Sequence, residues 1–212
     1  QAVGGGGSVT AYGLSTSNAV TETLTGDHGP TLTNKVKGTL TIETSNNPSS
    51  AILLTGSAGN VFSNVKLTAQ DEDLRLDQLR VLLADGGYAF SGLTGNYQDV
   101  TNVAIYVGTT KLGNASIPST GEYTFNFDAD VLTITKGTNN AKTVTIKADM
   151  STVDPNTDNS PGTNSADLKI GFGGANGVKT TGKASNTEIT TTTYETYNDS
   201  TSSAMILRSS KP

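Results

Sequence analysis

Asp154, Asn156 and Asp158 stand at alternate positions, in the D-x-N-x-D spacing that opens a calcium-binding loop. Their carboxylate and amide oxygens are the hard donors that Ca2+ takes. The sixth position of such a loop is Asn159, where the sharp turn needs Gly. The twelfth is Ser165, where a bidentate Glu belongs. A solvated turn of Asn, Asp and Pro is therefore the expected reading, with calcium as the alternative and no other cofactor implied. Asp71, Glu72 and Asp73, together with Asp77, form a second acidic group that could ligate a cation. A solvated turn is again expected. Asp128 and Asp130 flank a strand end. Paired carboxylates also serve glycoside hydrolysis, which needs two acids a few ångströms apart. A sugar cleft usually offers Trp as well, and the chain has none.

The remaining candidates are weaker. His28 is the sole histidine and sits in Gly-Asp-His-Gly-Pro, a turn, where a triad base would need a Ser and an Asp beside it. Glycines 4–7 and the pair Gly173 and Gly174 lack the Lys-Ser/Thr of a phosphate loop. Asn114 with Ser116, and Asn198 with Ser200, match the N-x-S/T pattern, as chance allows in a chain rich in Asn, Ser and Thr. Tyr123, Phe125 and Phe127 form an aromatic stripe, expected as a core layer before a binding platform. No catalytic residue is expected.

Composition points the same way. The 212 residues are 33% hydrophobic and 16% charged, both below the globular norm. Threonine supplies about one residue in six, although it is not among the commonest residues of globular chains. It is β-branched, favours strands and gives a neutral hydrated surface. With no Cys, a disulfide-stapled scaffold is excluded. The formal charge of −5 disfavours nucleic acid, which needs a basic footprint. No apolar run approaches the roughly 18–20 residues of a membrane-spanning helix, so no membrane insertion is expected.

The elements that must carry these residues are strands. Residues 131–150 read as a β-hairpin. Leu132 and Ile134 alternate with Thr133 and Thr135, and Val144, Ile146, Ala148 and Met150 alternate with Thr145, Lys147 and Asp149. Gly137, Asn139 and Asn140 supply the turn. Residues 37–43 make a strand with Leu40 and Ile42 on one face. Residues 51–54, Ala-Ile-Leu-Leu, read as a short buried strand. Val61, Val65 and Leu67 line a further strand, and Val103, Ile105 and Val107 another. Residues 74–84 fit either a helix or a strand with a one-residue slip between Leu76 and Leu79, as a β-bulge produces. The strand is preferred because its neighbourhood is all β. About ten short strands separated by turn residues predict an all-β sandwich.

Residues 61–74 (Val-Phe-Ser-Asn-Val-Lys-Leu-Thr-Ala-Gln-Asp-Glu-Asp-Leu), 100–108 (Val-Thr-Asn-Val-Ala-Ile-Tyr-Val-Gly) and 132–149, in that order, resemble the immunoglobulin-like modules of large secreted bacterial surface proteins of the surface-layer and adhesin type. The ending, residues 205–212, resembles an exit strand to a next module. The likeness covers roughly residues 38–212. It implies an immunoglobulin-like antiparallel β-sandwich with no shared catalytic residues. Residues 1–36 lie outside it as an extended N-terminal arm, with residues 37–212 as the sandwich domain.

These readings converge on an extracellular, cell-surface structural protein that assembles with copies of itself into a layer, sheath or filament. An adhesin-type module that recognises glycan or protein is the alternative. The arm separates the two. Its glycines make a hinge, and Val9, Leu14, Val20 and Leu24 are the apolar anchors of a strand that could join a neighbour's sheet.

Overall fold

The computed structural model describes residues 9–12, 19–22, 36–45, 48–85, 97–152, 167–173, 177–190 and 205–208. The chain divides into two compact units, Gln1–Lys35 and Val36–Pro212. In the first, β1 (Val9–Tyr12) and β2 (Ala19–Glu22) pair antiparallel, with Val9 opposite Glu22 and Ala11 opposite Val20. The expected extended arm thus contains a two-stranded ribbon. Leu14 and Leu24 lie outside the described residues.

The second unit is built from two sheets. The first holds β3 (Thr39–Thr44), β5 (Asn60–Gln70), β11 (Lys142–Met150), β7 (Val100–Val107) and β8 (Thr110–Ala115), side by side in that order and antiparallel throughout. The second is organised around β6 (Leu74–Asp85). One edge of β6 takes β12 (Asp167–Phe172) along Val81 to Asp85 and β13 (Val178–Gly182) along Leu74 to Leu79. Its other edge takes β9 (Glu122–Asn126) and β10 (Thr133–Ile134). Beyond β13 lies β14 (Glu188–Thr190). Beyond β12 lies β15 (Met205–Arg208), and beyond that β4 (Ala51–Leu54), which runs parallel to β15.

Period-two patterning decides which faces meet. Val65 and Leu67 of β5, Val103 and Ile105 of β7, and Val144 and Ile146 of β11 point into the same apolar cluster. Leu74, Leu76, Leu79 and Val81 of β6, with Leu168, Ile170 and Phe172 of β12, meet them there. The result is an all-β, sandwich-like fold around one core. The slip expected in β6 occurs at Asp77. Leu76 faces Thr180 and Gln78 faces Lys179, which leaves Asp77 as the extra residue. The bulge is what keeps Leu79, Val81 and Leu83 on the buried side after Leu74 and Leu76.

Two expectations are corrected. Residues 131–150 do not form a hairpin. Their first arm, β10, pairs with β6 in one sheet, and their second, β11, pairs with β5 and β7 in the other. Leu132, Ile134, Val144 and Ile146 are buried as the alternation requires. Two arms with inward apolar faces can meet across the core as well as side by side, and alternation does not distinguish these. The short run in β4 is also not a buried strand. Leu53 packs toward the core, but Ile52 and Leu54 are 65% and 53% exposed. β4 is the edge of its sheet, with one face left in water.

Candidate functional site

The acidic turn between β5 and β6 is where the chain passes from one sheet to the other. Asp71 takes φ 68°, a left-handed conformation that Asp tolerates better than most residues. This turns the next side chain, Glu72, inward, where it is 5% exposed. One carboxylate oxygen, Oε1, accepts from Gly38 N at 2.8 Å and from Ser185 Oγ at 2.6 Å. The other, Oε2, accepts from Ala184 N and Ser185 N, both at 2.8 Å. Burial pushes this carboxyl up. The Ser185 hydroxyl and amide and the Gly38 and Ala184 amides outweigh it and hold the group at about 2, below its ordinary 4.5.

The neighbouring acid completes a hub. Asp73 Oδ1 accepts from Lys136 N at 2.9 Å, and the Asp73 carbonyl accepts from Lys183 N at 2.9 Å. Gly137, at φ 103°, donates to the Ala69 carbonyl at 2.9 Å. Three segments remote in sequence, around residues 38, 136 and 184, are thus tied to one turn. Asp77, in the bulge, accepts from Arg75 Nε at 2.7 Å and from Thr181 Oγ1 at 2.6 Å. The expected cation site or solvated turn at Asp71, Glu72, Asp73 and Asp77 is therefore corrected for Glu72. Its oxygens are spent on backbone amides and a hydroxyl, and this turn is a fastening. Among the described residues, no group of three or more His, Cys, Asp or Glu is placed to hold a metal.

Two glycines make room for the buried carboxylate. A Cβ on Gly38 would lie 2.7 Å from Glu72 Cγ and 2.9 Å from Leu74 Cδ2. A Cβ on Gly182 would overlap the Glu72 carboxylate and lie 2.5 Å from Ser185 Oγ. Gly182→Ala should therefore cost about 1–3 kcal/mol through overpacking, read as a lower urea midpoint with an unchanged slope.

The outer face of the first sheet carries a ladder of polar side chains. Asn114 Nδ2 donates to Asn102 Oδ1 at 3.2 Å, and Asn102 Nδ2 donates to Asp149 Oδ2 at 3.1 Å. Gly59 N donates to Asp149 Oδ1 at 2.7 Å. Past the Lys147 row, Thr145 Oγ1 donates to Asn64 Oδ1 at 2.7 Å. Lys147 lies over the Tyr106 ring, 4.6 Å from its centroid. The sequon asparagine Asn114 is exposed on this face. The aromatic stripe divides between core and surface. Phe125 is buried, meets Tyr123 edge-on at 4.8 Å and stacks on Phe127 at 6.4 Å, while Tyr123 is 38% exposed. Phe125 crosses to the first sheet, where a Cβ on Gly113 would lie 3.2 Å from its ring.

Asp154, Asn156, Asp158, His28, Asn198, Gly174 and glycines 4–7 lie outside the described residues. Gly173 is buried and donates to the Arg80 carbonyl at 3.3 Å. No helix among the described residues is long and apolar enough to cross a membrane. No protein-family model matches the chain, and no curated protein matches it. Sequence reasoning missed the role of Glu72, because an acid between two aspartates carries the signature of a solvated turn. The one usable signal was the pair of distant glycines that its side chain requires.

Proposed function

We propose that this chain is an extracellular, non-enzymatic structural subunit, an immunoglobulin-like β-sandwich that assembles with copies of itself into a surface layer, sheath or filament. The observation that carries the reading is how its polar groups are used. The most buried acid of the inter-sheet turn holds segments of its own chain together. The Asn and Thr side chains of the outer sheet face bond to one another across strands. A chain only 16% charged suits close packing of neighbouring copies, since like charges directly opposed repel. The separate N-terminal unit supports assembly by strand addition, in which unpaired N–H and C=O groups of a sheet edge are completed by another chain. Such a contact is head-to-tail and repeats into an open array.

Electron microscopy and sedimentation of the purified chain test this. The full chain should form filaments or sheets, and the chain lacking residues 1–35 should stay folded and monomeric. A full chain that remains monomeric while binding glycan or a host protein would overturn the assembly reading in favour of an adhesin-type module.

A further inference from the structure

Among the described residues, β3, β8, β14, β4 and, beside the short β10, β9 each leave a sheet edge open, and these edges are not alike. Edge strand β9 exposes Asn126, and its Glu122 pairs with Arg80. Edge strand β3 exposes Thr39, Thr41 and Glu43, and Glu43 pairs with Lys66 at 3.3 Å. Edge strand β8 exposes Thr110, Lys111 and Asn114. Edge strand β14 exposes Glu188, which faces Lys179 at 4.0 Å. Each carries the charge or hydrated side chains that discourage pairing with another chain. The remaining edge, β4, is Ala-Ile-Leu-Leu and has neither. Ala51, Ile52 and Leu54 are all exposed. Among the described residues β4 pairs with β15 alone. An uncharged aliphatic edge of this kind is a template for one more strand.

The first unit has the complementary need. β1 and β2 are four residues each, and a two-stranded ribbon is marginal in water without a third strand or a covering layer. Its strands, Val-Thr-Ala-Tyr and Ala-Val-Thr-Glu, carry a single charge, at Glu22. They match the four residues of β4 in length and near-neutrality. Among the described residues, every copy of the chain thus offers a ribbon short of a strand and an edge short of a neighbour.

We propose that β4 is the acceptor edge for the β1–β2 ribbon of a second copy, so that the ribbon extends the larger sheet by two strands. This rests on the assembly reading above and assigns its contact. Ile52 and Leu54 are the side chains that the incoming ribbon covers. The charged and hydrated edges of β3, β8, β9 and β14 remain in solvent.

The chain has no cysteine, so disulfide trapping between full-length chains is clean. Full-length Ile52→Cys protein, mixed under mild oxidation with full-length Thr10→Cys or Thr21→Cys protein, should give mixed disulfides. The yield should be at least tenfold above that with Thr41→Cys, a control on the β3 edge. The full-length double variant Ile52→Lys/Leu54→Lys alters only exposed side chains, so it should keep the wild-type melting temperature and lose the self-association. Equal trapping by Thr41→Cys, trapping of Ile52→Cys only with itself, or closure within single chains carrying both cysteines at high dilution would overturn the proposal. Filaments without mixed disulfides would sink this edge and leave assembly standing. Mixed disulfides without filaments or sheets would keep the pairing and sink the extended array.

Discussion

Glu72→Ala should remove about 3–5 kcal/mol of stability, since each buried donor left without its acceptor costs about 1–3 kcal/mol. The loss follows from what remains. Gly38 N, Ala184 N, Ser185 N and Ser185 Oγ would all lose their acceptor at once. Glutamine does not rescue the site. Each carboxylate oxygen accepts from two donors, so either amide orientation sets an NH2 group against two donors. Glu72→Gln should therefore fall well short of wild type despite its matching shape. Thermal unfolding should show a drop in Tm on the order of 10 °C for the alanine variant.

The same carboxylate shapes the acid limb of stability. Its folded-state pKa, about 2, lies below its ordinary 4.5. A depressed carboxyl contributes stability that is fully present above its unfolded value and is lost as pH falls through the folded one. The free-energy gap between wild type and Glu72→Gln should stay constant from neutral pH down to about 4.5 and then narrow toward pH 2. Urea titrations at several pH values measure it. A gap that is already closing near neutrality would show that these bonds are not made to an ionised group.

Ile146→Ala should cost about 2–5 kcal/mol, the usual range for emptying a core aliphatic site. Ile146 is fully buried on β11, the middle strand of the first sheet. It faces Ser63 on one side and Ile105 on the other. Its methyl groups belong to the cluster that also holds Leu74, Leu76 and Leu79 from the opposite sheet, so a cavity there is walled by both layers and collapses poorly. Thr145→Ala, one residue away on the outer face, would lose only the 2.7 Å bond to Asn64, worth about 0.5–1.5 kcal/mol. A larger loss at Thr145 than at Ile146, measured by urea unfolding, would invert the assignment of faces.

Alternation alone determined a good part of this protein. It identified the inward residues Val65, Leu67, Val103, Ile105, Val144 and Ile146, because side chains on a pleated strand change face at every step. It also placed the slip in β6. Leu74 and Leu76 are out of phase with Leu79, Val81 and Leu83, and only one extra residue puts all five in one core; the structure puts that residue at Asp77. These properties are local, fixed by backbone geometry and by which side chains avoid water.

Tertiary structure decided the rest. Whether β10 lies beside β11 or across the core from it depends on pairing partners far away in sequence, and both arrangements bury the same four side chains. Whether Ala-Ile-Leu-Leu is central or an edge depends on whether a further strand arrives, which its own four residues do not encode. The fate of Glu72 was the least legible. Its donors come from 34, 112 and 113 residues away, and three of the four are plain backbone amides, of Gly38, Ala184 and Ser185, which every non-proline position offers alike. An acid in a turn becomes a buried fastening only when the fold delivers enough such amides to replace its water.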